Sequence, residues 1–358
     1  MSHSKLRVGV VGCGNISGIY LQNARNACCF EVVGVADADE QRAKAKAAEH
    51  GTARVMSLDE LIDGTATDVV LNLTPPAAHA AIAMRALRAG KHVYNEKPLA
   101  ISLDDARSML ELARSKGRLV GCAPDTFLGA AWATARDVID ASRIGDVVAG
   151  SATMLSGGPE SWHPDPEFFF APGAGPLFDM GPYYLTALVH LLGPVASVTA
   201  IAKATHATRT IGSGPKKGNT IAVHTPTHIA GVMEFASGPV VTLTTSFDVP
   251  ASQLPPIQLH GTAGALHLPD PNYFGGEVRM QTPGAKEAAV VPLLRGAEHN
   301  ARGLGLDDLC SASVERREPR ASGGLALHVL EVMHAMLTSQ QTQRHLVIQS
   351  RPARPMPL

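Results

Sequence analysis

The chain has 358 residues, 45% of them hydrophobic and 18% charged, with a formal net charge of -1. That length suits two domains of ordinary size, and the composition is that of a soluble globular protein. The charge balance excludes the basic footprint that nucleic acid or an anionic membrane surface requires, which leaves a small molecule as the expected partner.

Met1 to Lys5 leads straight into a strand, without the basic region, apolar stretch and cleavage site of a secretory leader. No apolar run approaches the ~20 residues that span a bilayer. The five cysteines, an odd number that includes the adjacent pair Cys28-Cys29, do not read as a disulfide framework. The expected location is a reducing cytoplasm, and Cys13 and Cys122 read as small core residues.

Leu6 to Val11 is a β-branched run that flows into Gly12-Cys13-Gly14-Asn15-Ile16-Ser17-Gly18. Strand, glycine turn and helix form the context in which a G-x-G-x-x-G-like pattern points to a dinucleotide. Gly12 allows the tight turn, Gly14 lets a pyrophosphate approach, and Ser17, with Asn15 and Ile16, opens a helix whose N–H groups favour phosphate. A second strand, Glu31 to Ala36, ends in Asp37, whose carboxylate can accept hydrogen bonds from both ribose hydroxyls of NAD and would repel the 2′-phosphate of NADP. The plainer reading makes Asp37 the cap of the helix Glu40 to Glu49, and Arg42 nearby could accommodate a phosphate. NAD is therefore favoured, with NADP kept open.

Strand Asp68 to Thr74, helix Ala77 to Ala89, strand His92 to Asn95, helix Leu103 to Ser115 and strand Arg118 to Cys122 follow. Apolar strands alternating with helices predict a parallel, doubly wound sheet, an α/β fold that binds ligands beyond the carboxyl ends of its strands. Thr74-Pro75-Pro76, with His79 after it, and Asn95-Glu96-Lys97-Pro98 fall at that rim. Residues 1–124 are thus predicted as a cofactor-binding domain, with Gly12, Gly14, Asn15, Ile16, Ser17, Asp37, Arg42, Thr74, Pro75, His79, Glu96 and Lys97 as its contacts.

From 125 to 358 the character changes. One more helix covers Arg136 to Ser142. Then come strands at Val147 to Met154, Val195 to Ala204, Thr227 to Phe235, Val240 to Phe247, Ile257 to His260 and Ala265 to Leu268. Short Gly and Pro turns between them predict a large, mostly antiparallel sheet with helices on one face and a subunit contact on the other, hence a homodimer or homotetramer. Leu325, Val329, Val332 and Met336 recur at helical spacing, and the tail from Arg351 is expected to be extended. Gly173 to Tyr184 runs into an apolar helix ending at Leu192. With Asp179 as its cap, Pro182 would fall in the first turn, and Asp179 and Tyr183 on one face. The plainer reading is a capping aspartate and a core tyrosine.

The glycine turn, the Asn95-Glu96-Lys97-Pro98 stretch and the glycine-rich run into Asp179-x-Gly181-x-Tyr183 resemble, in that order, the glucose-fructose oxidoreductase/inositol dehydrogenase/MocA family. The resemblance implies a Rossmann domain followed by an α/β domain with an open antiparallel sheet. It also implies a nicotinamide-dependent oxidoreductase acting on a sugar, polyol or derivative. It places Lys97 near the nicotinamide and Asp179 beside it. Tyr183 stands where the family more often has histidine, and Ala123 to Phe127 lacks an arginine common there, which bears on pocket polarity near Asp125.

Free lysine, with a pKa of ~10.4, is a poor base at neutral pH, so Lys97 is expected to be partly desolvated or beside another cation. The expected roles are Lys97 as donor and proton shuttle, Tyr183 as acid/base and Asp179 as its orienter, with the first two interchangeable. Asp125, Trp162 and His163 are further substrate candidates, followed by His228 on a strand and Arg302 at a helix start. His224 and His228 flank Pro226 without a partnering ligand set, so no metal is expected. Two other functions fit the same residues: a lyase or glycosidase that oxidises its substrate transiently, and a nicotinamide-sensing protein without chemistry.

Overall fold

A computed structural model describes residues 5–51 and 54–357. Residues 1–4, over which no secretory leader is expected, and the last residue of the tail lie outside them. The chain forms two compact units: Met1–Leu128 with His299–Leu330, and Gly129–Glu298 with Glu331–Leu358. Residues 299–330, expected in the second domain, thus lie in the same compact unit as the glycine turn.

In the first unit the chain alternates β1 (Leu6–Val11), α1 (Ser17–Ala24), β2 (Phe30–Ala36), α2 (Glu40–His50), β3 (Arg54–Val55), α3 (Leu58–Ile62), β4 (Val69–Asn72), α4 (Pro76–Arg88), β5 (His92–Asn95), α5 (Leu103–Lys116) and β6 (Val120–Cys122). The strands form a parallel six-stranded sheet in the order β3-β2-β1-β4-β5-β6. Helices cover both faces, so the strands are continuous apolar runs: Val8, Val10, Val35, Val69, Val70 and Val93 are fully buried. The strand order reverses between β1 and β4, the switch point at which such sheets bind ligands. Gly12 sits there with φ +98°, and a Cβ on it would stand 2.7 Å from the Leu73 carbonyl, so only glycine fits.

The second unit contains α6 (Ala130–Asp140), β7 (Val147–Leu155), α7 (Pro176–Leu192), β8 (Val195–Lys203), β9 (Thr208–Thr210), β10 (Thr220–Ala222), β11 (His228–Phe235), β12 (Val240–Ser246), β13 (Ile257–Gly261), β14 (Gly264–Leu268), β15 (Val278–Gln281), β16 (Ala289–Val291) and β17 (Leu346–Val347). Nine of its strands make one sheet, β16-β15-β14-β13-β7-β12-β11-β8-β17. All neighbours are antiparallel except β7 and β12. The sheet's inner residues pack on α7, which is buried along almost its whole length. Ile201, Val232 and Val240 point the other way and are exposed.

Several elements differ from expectation. The helix predicted over Arg136 to Ser142 begins at Ala130, after Gly129. Helix α7 starts at Pro176, so Asp179 lies in its first turn, donating its backbone N–H to Gly175 O at 3.0 Å, and Pro182 is interior. Asp179 is therefore not the cap. Gly175 is, at φ +90°, and a Cβ there would meet Pro226 O at 2.7 Å. The helix Leu304–Glu315 follows Arg302, which is expected at a helix start, whereas α3 and the short strands β3, β9, β10 and β15 to β17 have no counterpart in the sequence pattern. The last long helix, Gly323–Thr342, buries Leu325, Val329, Val332 and Met336 as their spacing predicts.

Candidate active site

The glycine turn is held by the end of β2. Gly12 N–H donates to Ala36 O at 2.8 Å and Cys13 N–H to Asp37 Oδ2 at 2.7 Å. Asp37 Oδ1 accepts the Asp39 N–H at 2.8 Å, and its side chain is only 7% exposed. The cap of α2 is Asp39, which accepts from Gln41 and Arg42 N–H, so Asp37 is not a capping residue. Arg42 pairs with both carboxylates, at 3.5 Å to Asp37 and 3.7 Å to Asp39. Burial, then the Asp37 charge, pushes the Cys13 thiol up to about 11, which keeps it protonated and inert.

Ser17 is buried and donates to Gly14 O at 2.7 Å, closing the turn, while Asn15 stays exposed beside Ile16. A Cβ added to Gly14 would meet nothing within 4 Å. This is the open cradle that a pyrophosphate needs at a helix start.

The β4 and β5 ends are braced together. Thr74 bonds Asn72 through both its N–H and its hydroxyl, and Asn72 donates to Asn95 Oδ1 at 3.0 Å. His79, fully buried on α4, bridges Thr74 O and Pro98 O at 2.7 Å each. Pro75 caps α4 ahead of Pro76. His79 thus fixes the relation of the Thr74-Pro75 turn to the Lys97-Pro98 turn.

Glu96 is held on both oxygens. Tyr20, on α1, donates its hydroxyl to Oε1 at 2.9 Å, and the Lys97 N–H donates to Oε2 at 2.9 Å. Burial, then the Glu96 charge, pushes the Tyr20 phenol well above its usual range, so it remains a donor. Tyr20 gives no signal in sequence beyond sitting one turn into the helix that follows the glycines.

Asp125 is fully buried, and its Oδ2 accepts the N–H groups of Gly303 and Gly305 at 2.9 Å each, at the start of the helix Leu304–Glu315. Its carboxylate is engaged by that helix start. Burial lifts its pKa to about 6 despite those two bonds.

In the second unit, Asp179 is half-buried and Tyr183 is buried, four residues apart on α7. Trp162 is 65% exposed, and its ring meets that of His163 edge-on at 5.4 Å. His163 also packs edge-on against Phe168 and Phe169, and its Nδ1 accepts the Asp165 N–H at 3.1 Å. The loop that carries this pair is anchored beneath by Arg209, which bonds Glu160 at 2.8 Å and Asp248. His228 bonds the Ser246 hydroxyl at 2.9 Å, and Arg302, in the first unit, bonds Asn300 Oδ1 at 2.9 Å. Among the described residues no three His, Cys, Asp or Glu are grouped to hold a metal ion, and no helix is long and apolar enough to cross a membrane.

The first unit therefore gathers Gly12 to Ser17, Asp37, Thr74, Glu96 and Lys97 on one edge of its sheet, while the second carries Asp179, Tyr183, Trp162 and His163. Residues 6–123 match the family model for the oxidoreductase family with an NAD-binding Rossmann fold, and residues 132–267 match that of the GFO/IDH/MocA C-terminal domain. The chain belongs to the Gfo/Idh/MocA oxidoreductase family. It is 36% identical over 192 residues, 52% of this chain and 55% of the relative, to a dTDP-3,4-didehydro-2,6-dideoxy-alpha-D-glucose 3-reductase of Streptomyces violaceoruber. It is 28% identical over 259 residues to the D-glucoside 3-dehydrogenase of Escherichia coli, covering 69% of this chain and 72% of that one. The chain spans about half the length of most curated relatives it matches. An NAD-binding oxidoreductase from Klebsiella pneumoniae has the same fold, with a TM-score of 0.83 at 22% identity, over 97% of this chain and 100% of that structure.

Proposed function

We propose that this Gfo/Idh/MocA protein transfers a hydride between NAD and a hydroxyl or carbonyl carbon of a sugar or sugar derivative. The observation that carries the reading is the double anchoring of Glu96: by Tyr20 from the cofactor helix and by the backbone of Lys97. A carboxylate used only as a solvated turn would not be bonded from beneath by a buried phenol. Two relatives whose names place their action at position 3 of a glucose derivative support a hexose ring carbon, with position 3 the first candidate.

The residues fit a dinucleotide. Gly12, Gly14, Asn15, Ile16 and Ser17 would hold the pyrophosphate in the open cradle at Gly14, and Asp37 the ribose. Thr74, Pro75 and Glu96 would line the rim, with His79 bracing it. NAD is favoured over NADP because the buried Asp37 carboxylate already spends one lone pair on each oxygen and would face a 2′-phosphate as a like charge, while Arg42 is occupied by Asp37 and Asp39.

When bound, the nicotinamide accepts or returns the hydride of the reacting carbon. Lys97 donates a hydrogen bond to the reacting oxygen, and Tyr183 takes its proton on oxidation and returns it on reduction. Asp179 orients Tyr183, while Trp162 and His163 contact the sugar face and edge. Asp125 supports the cofactor domain from within. The exposed sheet face at Ile201, Val232 and Val240 is the surface for a homodimer or tetramer.

A thermal-shift screen of sugars, glucosides and polyols, with NAD and with NADP, followed by turnover assays of the hits, tests the reading. Hits should shift only with cofactor present and should change nicotinamide absorbance. Cofactor binding without turnover of any hit would leave a sensor in place of an enzyme. Turnover without net release of reduced cofactor would favour transient oxidation coupled to elimination.

A further inference from the structure

The sheet of the first unit has a second edge, at the starts of β5 and β6, opposite the ends that carry Glu96 and Cys122. A cavity of about 590 Å³ opens there, lined by His92, Arg114, Arg118, Arg316, Arg317 and Glu318, with the Ser322 to Gly324 backbone beside them. Four arginines converge on it from three places. Arg114 comes from the last turn of α5, Arg118 from the start of the turn into β6, and Arg316 and Arg317 from the end of the helix Leu304–Glu315.

Their charges are not equally compensated. Arg317 bonds Asp308 at 2.8 Å and Glu315 at 2.6 Å. Arg114, Arg118 and Arg316 are exposed and form no ion pair among the described residues, and Glu318 is the only carboxylate among the lining residues. Three unpaired guanidinium groups against one carboxylate leave the concavity with an excess of positive charge, in a chain whose net charge is -1. The field reaches His92. Its burial, then Arg118, lower its pKa to about 4, and its Nδ1 accepts the Leu119 N–H at 3.0 Å, so the imidazole is neutral at pH 7 and adds no charge of its own. Like charges gathered on one concave wall repel one another, and an anion between them offsets that repulsion. Planar guanidinium forks match phosphate oxygens in pairs. The volume lies within the ~300–1,000 Å³ typical of small-molecule sites.

We propose that this cavity is a second ligand site, for a small phosphorylated metabolite anchored through its phosphate by Arg114, Arg118 and Arg316. It lies on the edge of the sheet away from the glycine turn, so its occupant does not compete for the cradle at Gly14. The proposal stands whether or not the hydride-transfer reading does.

The test is calorimetric titration of the full chain with inorganic pyrophosphate, with and without saturating NADH. The expected result is binding that persists in NADH, weakens with added salt, and weakens at least about tenfold in R114S/R118S/R316S. R114K/R118K/R316K, which keeps the charge but loses the fork, should fall between the two. The single change R118S should weaken binding measurably on its own, and it decides the matter if the triple variant fails to fold. No binding to the unaltered protein, displacement by NADH, or equal affinity in the serine variants would overturn the proposal.

Discussion

The Tyr20 hydroxyl donates to Glu96 Oε1 at 2.9 Å while Glu96 Oε2 accepts the Lys97 N–H at 2.9 Å. One buried phenol thus ties the helix that opens on the glycine turn to the backbone of the lysine at the end of β5. A hydrogen bond to a charged group contributes ~1.5–3 kcal/mol, so Tyr20→Phe should cost stability of that order and leave Lys97 less well placed. Turnover should fall about tenfold, with the cofactor Kd changed much less. Glu96→Gln, which keeps an acceptor for one partner, should lose less than Glu96→Ala. If Tyr20→Phe kept normal turnover and stability, the bond would be incidental.

Asp37 makes a separable prediction, because it both holds the Cys13 N–H and faces the ribose. Asp37→Ala should weaken NAD binding by about 10- to 100-fold and NADP binding less, which narrows the preference. Arg42→Ala frees the carboxylate and should sharpen the preference for NAD. Fluorescence titration of NADH and NADPH with each variant measures both. A variant that weakens the two cofactors equally would make Asp37 a strut of the turn and nothing more.

How much of this was legible in the sequence depends on how far apart the partners lie. Five strands of the parallel sheet were legible because each is a short apolar run, and so was the glycine turn, whose chemistry is local; the sixth, β3, is only Arg54–Val55 and carries no such run. The start of α7 was misplaced for a physical reason. Pro182 reads as a first-turn residue because a proline further in forfeits a backbone bond, yet burial of α7 along its length tolerates that loss. The better signal was Gly175-Pro176, a positive-φ glycine followed by proline at the first helical position. Asp125 reads as a substrate candidate, and its bonds to Gly303 and Gly305 N–H could not be foreseen because those residues lie far along the chain. Tyr20 and Glu96 are likewise brought together only by the fold.

Lys97 and Tyr183 should behave as the chemistry of the site. Lys97→Met and Tyr183→Phe should each lower kcat by at least about 100-fold while leaving the cofactor Kd within a few-fold, since general acid–base groups contribute ~100–10,000-fold. Their pH profiles separate the roles: the variant that retains a basic limb retains the proton acceptor. Near-normal turnover in both would sink the mechanism.

The Trp162-His163 loop rests on Arg209, whose side chain is 12% exposed between Glu160 at 9% and Asp248 at 6%. Removing one partner of a buried ion cluster leaves uncompensated charge and costs ~3–5 kcal/mol. Arg209→Met should destabilise the protein by about that much, and Glu160→Gln/Asp248→Asn added to it should recover part of the loss. Denaturant unfolding of the three proteins checks the pair; no recovery in the combined variant would mean that Arg209 acts through packing on Phe170, over whose ring its guanidinium lies at 5.8 Å.

Asp125 carries the pH dependence. Its pKa is lifted from 3.8 to about 6 by burial, against the Gly303 and Gly305 N–H bonds and Arg302, while Glu96 adds to the rise. Because the folded value is the higher one, the native state keeps a proton between those pH values that the unfolded chain has released. Stability from this group therefore falls as pH rises through the window and is level above it. At 1.36 kcal/mol per pKa unit the fall amounts to about 3 kcal/mol. Asp125→Asn keeps an oxygen to accept both N–H groups but does not titrate. Relative to the unaltered protein it should gain about 3 kcal/mol on going from about pH 4 to about pH 7, with little difference from there upward. Urea unfolding at the two pH values gives the comparison. An equal difference between the proteins at both would mean that Asp125 ionises in the fold as freely as in water, and that its two backbone bonds outweigh its burial.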